Sequence, residues 1–419
     1  MLSGSLIRRI RIRNYRSIAD SDVCLGQLTM VVGRNGAGKS NFLDALRFVK
    51  EGLDTTLDLA IKSRGGIDAV RRRSTGHPHH IELALEILIP EGLAQYAFEI
   101  GAQQKGGFQV KSESLRIVGN NGDLLHHFNV REGQLQESRL SGVELRTLFD
   151  EGSAKPHSTG GMWPVPSSDR LYLVVASGLS PFRSTYDALT SMGFYSMNPD
   201  VIRSVQSPDA GDLLKRDGSN LASVIARLTE DRPQVKERIR DFLQRIVPEI
   251  SDFSRVALGH METLEFRQAV KGSRTPWKFH AASMSDGTLR TLGNLVAAMQ
   301  LIDRSNVVGL VGLEEPETAL HPAAAGILVD ALREAAASTQ IIVTTHSPDL
   351  LDRFDDSTDD LLVAHSVQGT TTIGPADPAS LAAIKDHLFS PGDLLRMDQL
   401  QPAGSEHFQP ELFSVESRE

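Results

Sequence analysis

Residues 28 to 49, which read LTMVVGRNGAGKSNFLDALRFV, are the most informative part of the sequence about the fold. The stretch begins with a short apolar run, Leu28 to Val32, which is typical of a buried strand. A loop with three glycines follows. The next segment repeats apolar side chains at spacings of four and three, as a helix does: Phe42, Leu46 and Val49. The stretch therefore predicts a strand, a glycine-rich loop and a helix in direct succession.

The loop itself reads GRNGAGKS and satisfies the pattern G-x-x-x-x-G-K-S. Between a strand and a helix this pattern is typical of a phosphate-binding loop, because glycines let backbone amides point inward and the helix N-terminus adds partial positive charge. We expect Lys39 to reach the β and γ phosphates and the Ser40 hydroxyl to be a magnesium ligand. A glycine turn without a ligand is the simpler alternative. The predicted nucleotide-binding residues are Gly33, Arg34, Asn35, Gly36, Ala37, Gly38, Lys39, Ser40 and Asn41.

Three glutamates follow a second apolar run in the stretch LVGLEEPETALHP, residues 310 to 322. In a parallel nucleotide-binding sheet the strand after a crossover ends near the phosphate loop, so carboxylates at its tip face the metal and the γ phosphate. Glu314 is the predicted magnesium ligand, through a water, and Glu315 the predicted base for the attacking water. Glu317 is interpreted as a charge at the entry of the helix that begins at Pro322, and such helix capping is the alternative for all three.

A histidine ends a third apolar run in the stretch QIIVTTHSPD, residues 340 to 349. An alanine-rich helix is predicted from Pro322 to about Ala337, and strand, helix and strand with short links are typical of a parallel crossover unit. His346 follows Glu315 by 31 residues and should lie beside it at the same sheet edge. We interpret His346 as functional, although a lone histidine at a strand end is more often structural.

The stretch SMSDGTLR, residues 283 to 290, begins another predicted helix. Ser285 can cap this helix, Asp286 favours its first turn, and Gly287 removes a side chain where something must approach closely. Capping alone is the simpler explanation for Ser285.

The remaining chain predicts an α/β protein with an uneven distribution of strands and helices. Short alternating segments at residues 81 to 117 predict an antiparallel meander, residues 151 to 169 read as an exposed loop, and residues 177 to 250 are helical in pattern. The predicted parts are an N-terminal lobe over 1 to 150, a mainly helical insertion over 151 to 275, a C-terminal lobe over 276 to 365 and a C-terminal tail over 366 to 419.

Composition restricts the functional classes. Lys and Arg total 44 against 53 Asp and Glu, a formal charge of -9, so any nucleic-acid contact requires a local basic patch. The single cysteine, Cys24, cannot form an internal disulfide, and the apolar runs are far shorter than the roughly 18 residues of a membrane span. Arginines interrupt the apolar residues at the N-terminus, unlike a signal peptide. We expect a soluble, cytoplasmic protein without a membrane partner.

Two groups of arginines, Arg8 to Arg16 and Arg71 to Arg73, are the candidate basic patch. The first group alternates with Ile10 and Ile12, so a solvent-exposed strand face is the favoured explanation, with Tyr15 predicted on the arginine side.

Three histidines in the stretch TGHPHH, namely His77, His79 and His80, are a weaker candidate for a metal site. They lie in a Gly and Pro turn and lack a cysteine ligand, so we favour a turn without metal.

Taken together, the motifs resemble those of ABC-type ATPases. MSDGT is similar to their LSGGQ signature, EEPETALH to their Walker B and D-loop run, and TTH to their switch-histidine strand. The opening IRIRNYRSIADSDVCLGQLTMVVGRNGAGKSNFLDAL is similar to the N-terminal lobe of the SMC, RecF and OLD group, and EEPE with TTHSPDLLD resembles its stand-alone bacterial AAA members. The resemblance covers residues 5 to 50 and 280 to 355 well and the middle only loosely.

The resemblance implies a P-loop NTPase of the α/β class: an ABC-type ATPase head with an antiparallel β meander in its N-terminal lobe and a helical insertion between Walker A and signature. It also implies ATP and Mg²⁺ as cofactors and a homodimer, or a higher oligomer, in which two heads enclose two nucleotides. Ser285, Asp286 and Gly287 would contact the nucleotide of a partner chain, His346 would sense the γ phosphate, and Thr318 to His321 would form the D-loop.

Several positions depart from the family pattern. Glu314 stands where most ABC relatives have Asp, Asp286 and Thr288 replace the Gly and Gln of the signature, and His321 replaces the D-loop Asp. No glutamine is assigned as the Q-loop residue.

The leading hypothesis is a dimerising ATPase in DNA repair or in antiviral defence against foreign DNA. About 246 residues separate Lys39 from Ser285, more than transporter ATPase subunits use, and the roughly 65 residues after Phe354 are too few for the Toprim domain of OLD nucleases. Two alternatives stay open: an ATP-binding regulatory scaffold with little turnover, and an ATPase subunit for a separate nuclease or effector protein. DNA is a further candidate partner.

Overall fold

The computed structural model describes residues 6–73, 80–103, 106–141, 163–302, 309–355 and 358–403. The strands are β1 (Leu6–Tyr15), β2 (Ile18–Cys24), β3 (Leu28–Val32), β4 (His80–Ile89), β5 (Gly92–Ala102), β6 (Phe108–Gly119), β7 (Leu124–Arg131), β8 (Gln134–Leu140), β9 (Gly193–Tyr195), β10 (Ile250–Leu258), β11 (Met261–Gln268), β12 (Trp277–His280), β13 (Leu310–Glu314), β14 (Gln340–Thr345), β15 (Asp360–Val367) and β16 (Thr370–Pro375). The helices are α1 (Lys39–Asp54), α2 (Leu57–Lys62), α3 (Ile67–Val70), α4 (Leu173–Ala176), α5 (Ser180–Thr190), α6 (Pro199–Arg203), α7 (Leu221–Asp231), α8 (Pro233–Ile246), α9 (Asp286–Met299), α10 (Pro322–Ala336), α11 (Pro348–Leu351), α12 (Pro378–Lys385) and α13 (Pro391–Arg396). The predicted α/β class is confirmed.

Thirteen of the described strands form one sheet in the order β8-β7-β6-β5-β4-β1-β2-β16-β15-β3-β14-β13-β9. From β8 to β2 neighbouring strands are antiparallel, which confirms and extends the predicted meander. The strands β15, β3, β14, β13 and β9 run parallel. The carboxyl ends of parallel strands meet at one edge, so the segments after β3, β13 and β14 converge there, as the predicted crossover unit requires.

Helices cover both faces of the parallel strands, and β3 shows how. Its five residues are all buried. Val31 belongs to a core shared with α1 and the meander, whereas Met30 and Val32 belong to a core shared with α8, α9 and α10. A strand that is buried on both faces reads as a continuous apolar run, which is why Leu28 to Val32 show no polar alternation.

A buried glutamate ties the meander to the helical part of the chain. Glu113 of β6 is only 1% exposed. Its Oε1 accepts hydrogen bonds from the Tyr96 hydroxyl at 2.9 Å and the Leu173 amide at 2.8 Å, and its Oε2 accepts one from the Tyr172 amide. These donors favour the ionised carboxylate, but burial outweighs them and raises the pKa of Glu113 from 4.5 to about 7. The side chain thereby satisfies the first amide of α4 and the amide of its N-cap residue, Tyr172.

This environment predicts a pH-dependent stability. Between pH 4.5 and about 7 the folded protein retains a proton on Glu113 that the unfolded chain has released, so the free energy of unfolding falls as pH rises through this window. Urea unfolding of wild type and Glu113→Gln tests this effect. Between pH 5 and pH 8 the stability of the wild type relative to the variant should fall by a few kcal/mol at most, since one pKa unit corresponds to about 1.4 kcal/mol. A difference that is constant with pH would contradict the assignment.

The structure differs from the predicted insertion and tail. Residues 151 to 275 are predicted to be mainly helical, yet they include β9, which joins the main sheet beside β13, and two strands of a separate sheet β10-β11-β12. Residues from 366 onward are predicted as a tail, yet β16 lies between β15 and β2 and α13 packs on α11. β9 is three residues long and takes its place by pairing with the distant β13, which periodicity does not reveal, whereas β10 pairs with the adjacent β11 and β16 with the adjacent β15.

The position of Tyr15 is a further correction. Ile10 and Ile12 are buried as predicted, but Tyr15 is buried on their side of the strand rather than exposed with the arginines. Asn14 has a φ of 54°, which breaks the two-residue alternation of β1. The Tyr15 hydroxyl donates to Asp44 Oδ2 of α1 at 2.7 Å.

Several predictions fall outside the described residues: His77 and His79, most of the loop from 151 to 169, and the end of the chain from residue 404. His80 is described, and its Nδ1 lies 3.1 Å from Glu99 Oε1. None of the described helices has both the length and the apolar composition needed to cross a bilayer.

Candidate active site

The predicted phosphate loop lies at the carboxyl end of β3 and leads directly into α1. Gly36 and Gly38 have φ values of 79° and 99°, which residues with a Cβ rarely adopt. A Cβ on Gly38 would also lie 2.4 Å from Thr371 Oγ1. Gly38 is the N-cap of α1, and none of the described side chains caps the helix, so its first amides are open to an anion. The loop has the backbone that phosphate binding requires.

Lys39 is buried although its side chain is cationic. Its Nζ donates to the carbonyl oxygens of Gly33 at 2.8 Å and Arg34 at 3.1 Å, and lies 3.9 Å from Glu315 Oε1. Burial lowers the pKa of Lys39, while the carboxylates of Glu315 and Glu317 oppose this effect. The ammonium group therefore links the loop to the segment after β13.

Glu315 lies in the turn that follows β13, with a φ of 43° that is uncommon for a residue with a side chain. Its amide donates to the Thr344 carbonyl of β14 at 2.9 Å. Its Oε1 lies 3.1 Å from Nδ1 of His346, the residue after β14. Lys39, Glu315 and His346 come from three distant segments and meet around one carboxylate oxygen.

Glu314 ends β13, and its Oε1 accepts a hydrogen bond from Arg216 at 3.1 Å. Ser40, the other predicted magnesium ligand, is exposed in the first turn of α1. A hydroxyl and a carboxylate are hard oxygen donors of the kind Mg²⁺ takes, usually one or two per protein beside phosphates and water. No cluster of three or more His, Cys, Asp or Glu suited to a metal occurs in the described part of the chain. The donor set fits the ion.

Glu317 is not the helix-entry charge that the sequence suggests, and that prediction is wrong. His321 caps α10 instead, its Nδ1 accepting from the Ala323 amide at 3.2 Å. Glu317 is 9% exposed, and its Oε1 accepts from the Thr345 hydroxyl at 2.5 Å. Its Oε2 has no hydrogen-bond partner among the described residues, and burial raises the pKa of Glu317. A largely desolvated carboxyl group thus lies beneath the Glu315 turn.

The predicted signature lies where β12 leads into α9. Ser285 is the N-cap, with its Oγ accepting from the Thr288 amide at 3.2 Å, so its capping role is confirmed. Asp286 forms an ion pair with Arg203. A Cβ on Gly287 would lie 2.4 Å from the Ala319 carbonyl oxygen, and Ala319 itself has a φ of 68°. The signature and the predicted D-loop therefore touch within one chain.

Sequence reasoning missed Arg216, the partner of Glu314. It belongs to the loop between α6 and α7, and its carbonyl accepts from the amide of Ser196, the residue directly after β9. No local pattern marks this arginine, because the contact depends on β9 lying beside β13.

The predicted basic patch is largely paired with carboxylates. The ion pairs are Arg9 with Asp22 at 2.6 Å, Arg11 with Asp20 at 3.3 Å, Arg13 with Glu82 at 3.1 Å, Arg16 with Asp44 at 3.0 Å and Arg71 with Asp68 at 2.8 Å. Most of this charge is therefore balanced within the chain.

Comparison with known proteins identifies a family and two locally similar relatives. Residues 28–352 match the protein family described as "AAA domain, putative AbiEii toxin, Type IV TA system". A DNA double-strand break repair Rad50 ATPase from Thermoplasma volcanium is 36% identical over 86 residues, which cover 19% of this chain and 10% of that protein. An OLD nuclease from Thermus scotoductus is 43% identical over 44 residues, which cover 10% of this chain and 8% of that protein. The chain thus matches about a tenth of the length of these relatives.

Solved structures share the fold at low sequence identity. An SMC head bound to the C-terminal winged-helix domain of ScpA has a TM-score of 0.51 at 14% identity, covering 90% of this chain and 99% of that one. An SMC head with an extended coiled coil, bound to the C-terminal domain of ScpA from Pyrococcus furiosus, has a TM-score of 0.51 at 12% identity, covering 92% and 99%. Because the family match spans most of the 419 residues, the chain belongs to this AAA domain family, and its fold is that of the SMC heads.

Proposed function

We propose that the protein hydrolyses ATP at the site formed by Gly33 to Asn41, Glu314, Glu315 and His346, and that hydrolysis requires two heads. The observation that carries this proposal is the convergence on Glu315 Oε1, which lies 3.9 Å from Lys39 Nζ and 3.1 Å from His346 Nδ1. Phosphoryl transfer to water needs a lysine that binds the phosphates, a carboxylate that accepts a proton from the water and a histidine that orients this carboxylate.

The proposed roles follow from these contacts. Lys39 exchanges its bonds to the loop carbonyls for bonds to the β and γ phosphates. Glu315 accepts a proton from the attacking water, and His346 holds the oxygen that accepts it. Ser40 and Glu314 are the residues that would hold Mg²⁺, which when bound neutralises charge on the phosphates. Arg216 keeps Glu314 in position in the free protein.

The proposed dimer places Ser285, Asp286 and Gly287 against the nucleotide of the partner chain. The close approach of Gly287 to Ala319 supports this arrangement, because signature and D-loop would then face the same partner together. The proposed boundaries of the two lobes, near residues 150 and 276, put Walker A in one and the signature in the other.

The proposed biological role is in DNA repair or in defence against foreign DNA. The names of the Rad50 and OLD relatives support a DNA-related role, and the family description adds toxin–antitoxin systems. A separate effector protein would act with the head if it serves such a system.

A concentration series tests the proposal. If each site needs a partner chain, ATP turnover per chain should rise steeply with protein concentration and level off where light scattering in ATP reports dimers. Turnover per chain that stays constant across concentrations at which the protein is monomeric would contradict the shared site. Absence of turnover at every concentration, with ATP bound, would favour the regulatory scaffold.

A further inference from the structure

A basic segment unrelated to the predicted arginine patch occurs just before the signature. Residues 266 to 285 read FRQAVKGSRTPWKFHAASMS and contain no aspartate or glutamate, in a chain whose formal charge is -9. The four cations of this segment are Arg267, Lys271, Arg274 and Lys278. A local excess of positive charge of this kind is what a polyanionic partner requires.

The structure gathers these cations around the β11–β12 hairpin. The two strands pair antiparallel with Gln268 opposite Trp277, and β12 is an edge strand of its three-stranded sheet. Lys278 pairs with Glu265 at 3.0 Å and Arg267 lies 3.7 Å from Asp252. Lys271 and Arg274, in the connection between the strands, are exposed and form no ion pair with the described residues. The tip of the hairpin therefore keeps uncompensated positive charge.

An aromatic side chain lies on the same hairpin. Trp277 is 55% exposed, and its ring centroid is 6.4 Å from that of Phe279, which is half-buried and lies opposite the buried Phe266 of β11. Large aromatic rings are usually buried in the core or in interfaces. A half-exposed Trp between cations therefore suits a ligand with a flat apolar face and negative charge.

We propose that this hairpin tip, residues 267 to 278, binds single-stranded nucleic acid, with Trp277 stacking on a base and Lys271 and Arg274 contacting phosphates. Stacking on an exposed aromatic ring needs a base whose face is free, which a single strand offers and a duplex interior does not. The cations supply attraction to the backbone without sequence preference. Binding at this hairpin would specify the DNA-related role in the proposed function and rests on that role. It does not require ATP hydrolysis.

The test uses fluorescence. In a Trp163→Phe background Trp277 is the one remaining tryptophan, so its emission should be quenched when an oligothymidylate of about 20 nucleotides binds. By anisotropy with a labelled strand, Trp277→Ala should raise Kd roughly tenfold to a hundredfold, and Trp277→Phe much less. Lys271→Glu with Arg274→Glu should raise Kd by about tenfold or more and reduce the salt slope by roughly 1.4, for two phosphate contacts.

A matched control carries the same charge change elsewhere. Lys62→Glu with Arg183→Glu alters two exposed cations outside the hairpin, 70% and 59% accessible, which unlike the two replaced hairpin cations pair with Asp58 and Asp187. This double variant should change Kd by less than about threefold. Equal losses in both double variants, absence of Trp277 quenching, or undetectable binding at low salt would overturn the proposal. Equal binding of polyglutamate would point to an acidic protein partner and would also overturn it. Basal ATP turnover should be unchanged in the hairpin variants. A negative result for nucleic-acid binding is therefore distinguishable from a negative result for the proposed ATPase.

Discussion

Replacing Glu315 with glutamine is expected to lower the turnover number for ATP by about 10² to 10⁴ while leaving ATP affinity nearly unchanged. Glutamine has the shape of glutamate and keeps an oxygen or amide within reach of His346, which lies 3.1 Å from the carboxylate. It cannot accept the proton of the attacking water. The nucleotide should therefore bind and remain intact, and an ATP-bound dimer should accumulate, visible by light scattering.

The neighbouring carboxyl group provides a demanding control for this prediction. In Glu317→Gln the amide oxygen can still accept from the Thr345 hydroxyl, and the new amide nitrogen replaces a buried oxygen that has no described partner. Burial raises the pKa of Glu317, which means that its surroundings disfavour the charge that the amide removes. We expect a much smaller loss of turnover than for Glu315→Gln. Equal losses would mean that the shape of the turn, rather than the base, limits the reaction, and a monomeric Glu315→Gln with undiminished turnover would rule out its assigned role.

The parts of the site that the sequence predicts are those with local causes. The strand, loop and helix that begin at Leu28 follow from apolar spacing and from the conformations that glycine allows, and the structure has them in that order, with the strand at Leu28–Val32 and the helix at Lys39–Asp54. The approach of His346 to Glu315 was predictable because parallel strands joined by one helix place their carboxyl ends side by side.

The parts that the sequence does not predict depend on contacts between distant segments. Arg216 reaches Glu314 only because three residues of β9 extend the sheet, and a three-residue strand has no detectable period. Glu317 looks like a helix-entry charge by its spacing from Pro322, but a turn buries it against Thr345. The positive φ of Asn14 moves Tyr15 to the buried face, which strict alternation places with the arginines.

The candidate nucleic-acid surface shows the same limit in another form. The clustered arginines of β1 predict a basic patch, but carboxylates from β2 and β4 pair with them and neutralise their charge. Residues 266 to 285 are distinguished by the absence of aspartate and glutamate, which is not a motif. Only the fold shows that Lys271 and Arg274 form no ion pair with the described residues.

Two variants that are each expected to have strongly reduced turnover should recover part of it when mixed, if sites are shared between chains. Lys39→Ala removes the ammonium group proposed for the phosphates and should lower turnover by about 10² or more. Gly287→Ala puts a Cβ 2.4 Å from the Ala319 carbonyl oxygen, so signature and D-loop must separate, and a displacement of this size costs about tenfold to a hundredfold. Gly326→Ala in α10 is the matched control, because its Cβ meets only the flexible end of Arg353 and turnover should be kept.

In a mixed dimer one site combines both defects, whereas the other combines an intact phosphate loop from the Gly287→Ala chain with an intact signature from the Lys39→Ala chain. Random pairing at equal concentrations makes about half of the dimers mixed, so the mixture should recover at most about a quarter of wild-type turnover. Coupling between the two sites would lower this value without abolishing it. A mixture no more active than the mean of its components, in samples shown by mass to exchange subunits, would mean that Gly287 acts within its own chain, through the Ala319 contact alone.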